Sequence, residues 1–266
     1  MIHPESAELC PADMVYVEGK YCPFVAFRCA SYLGAAPEPR AGHEAPDEER
    51  RCGRYHDELM CDGRPAELRF CIDRLEYPNL PDVKPVVMVD YPQARGACRA
   101  EGKRLCEVEE WTLACEGPRT WPYPYGIERD PGACNIDRRP RHPNRRALSV
   151  PYDVSVEVER LDQRVPGGAL PGCISPFGVL DLTGNVAEWV HDREAEEGDS
   201  DHPSALAGGH WERVPATCRR RQSASPRGFR TYRVGFRCCR AALDGRKARR
   251  LAPSGTRLPK RRALLE

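Results

Sequence analysis

Apolar residues recur at every second position in two early stretches of the chain and at every third or fourth position in two later ones. MVYV (14–17) alternates as a strand does, and LRFCIDRLEYPN (68–79) reads as a strand entering a sheet from its edge, where the globular part begins. Beyond PVVMVD, the segment ending in CRAEGKRLCEVEEWTLAC (98–115) predicts two short helices hinged at Gly102. In the first, Ala94, Ala97 and Cys98 share a face; in the second, Val108, Trp111 and Cys115 follow the i, i+3, i+7 spacing of a buried stripe. Both outer cysteines therefore point inward. WPYPYG (121–126) and GACNID (132–137) read as turns, followed by an irregular section to about Gly168. GVLDLTGNVAEWV (178–190) comes next, then GGHW (208–211) and YRVGFRCC (232–239), the last two strand-like. Near the start, APEPRAGHEAPDEERR (36–51) reads as a linker or long loop.

Composition agrees with a loop-rich chain: 22 glycines and 26 prolines among 266 residues, and a mean hydropathy of −0.64. Fourteen cysteines exceed what a reducing compartment sustains without metal clusters. No spacing is Cys-x-x-Cys, the close pair that zinc ribbons and thioredoxin-type motifs need, so the count points to disulfides and an oxidising compartment. The start, MIHPESAELCPADM, has no charged and apolar leader pattern, which leads us to expect a removed leader or a truncated start. No run of 18 apolar residues spans a membrane. Five cysteines (Cys10, Cys22, Cys29, Cys52, Cys61) crowd the first quarter, and an odd number requires one to pair elsewhere or stay free.

Charge divides the chain. Residues 211–266 carry 17 Lys and Arg against three acids, whereas residues 1–210 carry 24 against 37, so the two parts should attract. The basic part lacks interleaved aromatics and any nucleic-acid fold signature, which argues against nucleic acid as a partner. From Asp244 it reads as a solvated tail.

Taken in order, FCIDRLEYPN, CRAEGKRLCEVEEWTLAC, YPYG, CNI, DLTGNVAEWV, GGHW and GFRC resemble the motif series of the sulfatase-modifying family, to which formylglycine-generating enzymes belong. The resemblance covers about residues 68–240. It implies an α+β domain with little regular secondary structure, disulfide-stapled and similar to the C-type lectin fold. The domain plan is then a cysteine-rich extension (1–66), the family domain (67–243) and a basic tail (244–266). By the same resemblance Cys98 pairs with Cys238 and Cys115 with Cys218. Each bridge closes more than 100 residues, for which loop-closure entropy gives roughly 4 to 5 kcal/mol.

DLTGNVAEWV implies a calcium site, with the side chains of Asp181 and Glu188 and the carbonyls of Gly184 and Val186 as ligands. The competing reading is a capped helix start with Trp189 in the core. A second calcium site would begin at Asn135 and Ile136. The family's oxidases bind copper(I) through two cysteines after GG; here GGHWERVPATCRRR places Arg213 at the first. Counted from GG, Cys218 is the second copper ligand; counted back from GFR, it is the partner of Cys115. Either count loses a thiolate, which argues against copper, with Cys239 as a candidate substitute. His210 stands where the family has a serine, and is a candidate for metal binding or proton transfer. Glu188 and His191 have Glu-x-x-His spacing, but a di-iron site needs two copies.

The reading is a non-catalytic binding or accessory protein of the cell envelope, periplasmic or secreted. Its cleft would be lined by His210, Trp211, Arg219 and Arg221, with a peptide or small anionic ligand held by the Arg219–Arg221 run. Its rivals are an oxidase converting a peptidyl cysteine to formylglycine with a rearranged copper site, and a self-associating structural envelope component. The ligand, the oligomeric state and the roles of Cys71, Cys106, Cys134, Cys173 and Cys239 stay open at this level.

Overall fold

A computed structural model describes residues 9–34, 51–57, 60–150, 153–197, 203–223 and 228–243. The tail from Asp244, and nearly all of the linker read over 36–51, lie outside them. Four strands, β1 (Met14–Tyr21), β6 (Ala66–Asp73), β7 (Arg104–Leu105) and β12 (Cys238–Ala241), form an antiparallel sheet in the order β1-β6-β12-β7. A second sheet runs β10-β9-β8-β11, built from β8 (Ala187–His191), β9 (Ser204–Ala207), β10 (Arg221–Ser223) and β11 (Val234–Phe236). Two small ribbons in the N-terminal part pair β2 (Phe24–Val25) with β5 (Cys61–Asp62), and β3 (Cys29–Tyr32) with β4 (Cys52–Tyr55).

The alternating stretch at 68–79 forms β6, yet β6 is an inner strand and not an edge. The N-terminal strand β1 pairs with it along all eight residues, and β12 covers its other side. With both faces packed, the last four residues of β6 are all buried, so the alternation ends there. The predicted helices form as α1 (Tyr91–Ala100) and α2 (Val108–Glu116), with Gly102 at φ +68° between them. Asp90 caps α1 through Gln93 N–H, and the Gln93 side chain returns the bond. Helix α2 packs Trp111, Leu113 and Cys115 against Phe70, Ile72 and Val190 in the main core. Further on, α3 (Val154–Leu161) lies within the section read as irregular, because Val-Ser-Val-Glu-Val mimics a strand while Val158 and Leu161 pack on one helical side.

GGHW is a loop and not a strand. Strand β9 ends at Ala207, and Gly208 and Gly209 take φ values of +80° and +73°. A Cβ at Gly208 would lie 2.6 Å from Leu182 O and 3.0 Å from the Trp111 ring, so the glycine is required by close approach. The turn before Trp189 is likewise no helix start: Ala187–His191 is β8, with Trp189 buried. YRVGFRCC makes two strands, β11 and β12, divided at Arg237.

Seven disulfides join all fourteen cysteines: Cys10–Cys71, Cys22–Cys61, Cys29–Cys52, Cys98–Cys238, Cys106–Cys239, Cys115–Cys218 and Cys134–Cys173. Cys10 is the odd N-terminal cysteine that pairs outside its own segment. Three bridges run as a ladder from the α1–α2 region to the C-terminal part of the chain, two to β12 and one to the turn before β10, and their entropic effects overlap. With Cys106–Cys239 in place, Cys115–Cys218 closes nine residues on one side and 21 on the other. A loop of about 30 residues corresponds to roughly 3.5 kcal/mol, below the full-loop figure.

Candidate functional site

The DLTGNVAEW segment turns sharply, with Asp181, Gly184 and Asn185 all at positive φ. Asn185 fixes the turn: its amide nitrogen donates to Glu76 Oε2 at 2.5 Å and to Val165 O at 3.2 Å. Its Oδ1 accepts from Val165 N and Asn135 Nδ2, each at 3.0 Å. Val186 N donates to Glu76 Oε1 at 3.1 Å. Glu188 meets Arg237 along two contacts, Nε at 2.7 Å and Nη2 at 2.6 Å, and accepts from Trp111 Nε1 at 2.7 Å. Arg237 is fully buried, and also reaches Asp73 O at 3.3 Å. Asp181 accepts from Gly168 N at 2.9 Å. Burial, with the Glu188 charge adding to it, pushes the Asp181 carboxyl up to about 6. Burial first, and then the charges of Asp181 and Glu188, push Glu76 well above the ordinary carboxylate range.

The four expected calcium ligands share this turn, and both Glu188 oxygens accept from Arg237 while Oε2 also accepts from Trp111. Asn135 and Ile136 do adjoin the turn, through the bond from Asn185 N to Asn135 O at 2.9 Å. The Asn135 side chain is committed to Asn185, Gln163 O and Arg138.

The sulfur positions settle the two counts for Cys218. It is bonded to Cys115, as the count from GFR requires, and Cys239 is bonded to Cys106. Arg213 is exposed. The cysteines nearest GG thus sit in bridges, with no free thiol among the described residues.

The arginine run is engaged differently from a bare anion clamp. Arg219 binds Glu116 at 2.7 and 2.8 Å and also donates to Cys22 O and Pro23 O, so it ties the N-terminal extension to the end of α2. Arg221 contacts Glu194 at 3.2 Å and Asp192 at 3.9 Å. Together with Arg237–Glu188, these pairs join the basic C-terminal part to the acidic remainder, as the charge division predicts. Trp211 is fully buried in a core cluster with Leu161, Val186 and Tyr232, and does not line a cleft.

Three hollows share residues of the run. The largest, about 620 Å³, lies between the extension (Tyr21, Phe24, Met60) and the core (Val108, Thr112, Ala207), with Arg219–Arg221 along it. A second, about 340 Å³, is bordered by Phe27, Tyr32 and Tyr55 of the extension and by the same three arginines. The third, about 210 Å³, is bordered by His210, Arg220, Gln222, Phe229 and Arg233. His210 Nδ1 accepts from Glu212 N at 3.3 Å, and burial, reinforced by the charges of Arg233 and Arg220, depresses its pKa to about 3. The sequence reading found His210 and the arginines but missed the opposite wall, Tyr21, Phe24 and Met60. No single periodic signal marks these residues, because Tyr21 ends β1, Phe24 lies in the two-residue strand β2 and Met60 lies outside any strand.

Residues 66–242 match the family described as the sulfatase-modifying factor enzyme 1-like domain, two thirds of the chain. The chain belongs to the sulfatase-modifying factor family. Its curated relatives include the formylglycine-generating enzyme of Mycobacterium tuberculosis, 29% identical over 186 residues, covering 60% of this chain and 58% of that one. Another is the inactive C-alpha-formylglycine-generating enzyme 2 of Bos taurus, 29% identical over 165 residues, covering 59% and 50%. The chain thus spans little more than half the length of the curated relatives it matches. Among solved structures, PvdO of Pseudomonas aeruginosa aligns over 91% of this chain and 98% of its own, at 19% identity and a TM-score of 0.47. The family domain fits the observed mixed α/β architecture with short helices and many bridges. Its first sheet nevertheless recruits β1, so in this chain the extension supplies a strand to the family fold. No helix among the described residues is long and apolar enough to cross a membrane.

Proposed function

We propose that this family member is a non-catalytic binding or accessory protein of the cell envelope, and that it binds an extended peptide in the cleft between its extension and its core. The observation that carries this reading is the bridging of Cys218 to Cys115 and of Cys239 to Cys106, with Arg213 at the remaining copper position. A soft monovalent ion needs thiolates, and a bridged sulfur is not one. The density of bridges supports an oxidising compartment.

A peptide suits the cleft for a structural reason. Strand β10 stands at the edge of its sheet among the described residues, and its successive residues Arg221 and Gln222 border the large and the small hollow in turn. An extended chain can pair with such an edge while its side chains enter the hollows on either side. The exposed faces of Phe24 (65%) and Met60 (79%) give it apolar contact.

The test is to incubate the protein with copper(I) and a Cys-x-Pro-x-Arg peptide and to follow formylglycine by mass spectrometry, while isothermal calorimetry follows peptide binding. Binding without conversion is expected. Conversion at a rate above that of copper alone would establish the oxidase, and reversible self-association without peptide binding would establish the structural component.

A further inference from the structure

We infer that the small hollow at His210 is a carboxylate site, which holds the terminal carboxylate of a peptide lying in the larger cleft. This rests on the binding reading above and names the chemistry of its end. Three observations carry it. At about 210 Å³ the hollow falls below the roughly 300 to 1,000 Å³ of pockets that enclose a whole small molecule, so it suits one end group. Arg220 borders both this hollow and the large cleft, and β10 runs past both, so a chain paired to that strand is led from one to the other. Finally, its described lining includes two guanidinium groups, an imidazole, an amide and the Thr231 hydroxyl, but no Asp or Glu.

Two of the donors, Arg233 and His210, are oriented by contacts with Glu212. Arg233 gives one nitrogen to Glu212 at 2.6 Å, which orients its planar fork. Because His210 Nδ1 accepts from the Glu212 backbone, the ring proton of the neutral imidazole lies on Nε2, and the residue acts as a donor without carrying charge. Phe229, Leu206 and Val214 form apolar walls, and an apolar surround strengthens the pairing of a carboxylate with the arginines. The large cleft differs: Asp62, Glu109 and Glu194 are among its lining residues, so an anion is directed to the His210 end.

The experiment uses the full chain and a set of N-acetylated hexapeptides, each made as the free acid, as the C-terminal amide, and as the amide with aspartate in the last position. Calorimetry is expected to show the free acid binding at least tenfold more tightly than the plain amide, with the difference shrinking as salt is raised. The aspartyl amide separates the sources: tight binding assigns the site to any carboxylate at that end, weak binding to the chain terminus. His210→Phe and Arg220→Met should each abolish the acid preference, so that within each variant the free acid and the plain amide bind with equal affinity, whatever the variant does to peptide binding as a whole. Near-UV circular dichroism establishes that each variant is folded, and Arg220→Met keeps the test decisive if His210→Phe is not. Equal binding of acid and amide by the wild type overturns the carboxylate site and leaves the cleft reading standing. A preference that persists in the folded variants also overturns it. Absence of binding by every peptide overturns both.

Discussion

Replacing Arg237 by methionine removes the buried cation at the junction of β11 and β12. Its guanidinium makes two short contacts to Glu188 and reaches the backbone at Asp73, all out of water. Methionine fills much of the same volume, so the change isolates charge from packing. It leaves Glu188, Asp181 and Glu76 buried with no arginine among them. Removing one partner of a buried pair costs about 3 to 5 kcal/mol, because the other charge stays desolvated. For a chain of this size each kcal/mol corresponds to about 2 to 4 °C, so the melting temperature should fall by roughly 6 to 20 °C at neutral pH. Two controls test the cause. Adding Glu188→Gln to Arg237→Met should recover part of the loss, since the amide needs no counter-charge and still accepts from Trp111. Lowering the pH should narrow the gap between variant and wild type, as the unpaired carboxylates take up protons. Urea and thermal unfolding with the disulfides intact provide both readouts. A loss under 1 kcal/mol, or a gap independent of pH, would refute the assignment of Arg237 as the charge that holds the turn.

Other perturbations follow from the same contacts. Asp181 is raised to about 6, above its unfolded value, so its stabilising contribution is complete below about pH 4 and is lost as pH rises through 6. Asp181→Asn removes that dependence, and the stability of wild type relative to the variant should fall by roughly 2 to 3 kcal/mol between pH 4 and 7 in urea titrations. In the ladder, Cys98–Cys238 and Cys106–Cys239 are separated by eight residues on one side and one on the other. Removing either as a Cys→Ala pair should cost roughly 2.5 kcal/mol in loop entropy, and removing both about 1 kcal/mol more than the sum, read by a double-mutant cycle. Arg219→Met should detach the extension from α2, speeding limited proteolysis within residues 23–60 while the core stays protected; unchanged cleavage would refute the tie.

Much of the architecture was legible because strong local patterns carried it. The face shared by Val108, Trp111 and Cys115 gave α2, and the alternation at 14–17 and 68–72 gave β1 and β6. Misreadings arose where tertiary contact overrides local pattern. β6 is central because β1 returns from the far side of the extension, and GGHW is a loop because Leu182 and Trp111 press on Gly208. α3 hides behind alternating valines. In the site, Cys218 was ambiguous on counting alone, since the counts from GG and from GFR give it different roles, and only its bond to Cys115 decides. Glu188 and Asp181 stood out as candidate ligands, but nothing local announces that Arg237, 49 residues later, meets both oxygens of Glu188. Trp211 reads as a cleft residue beside His210 and is instead enclosed by Tyr232 and Leu161.

The most direct test of the account is a disulfide map of the purified chain, from proteolysis under non-reducing, alkylated conditions and mass analysis of linked peptides. It should return Cys115 linked to Cys218 and Cys106 linked to Cys239, with no alkylated cysteine. Alkylation of Cys218 or Cys239, with either thiol lost on adding copper(I), would contradict the non-catalytic reading.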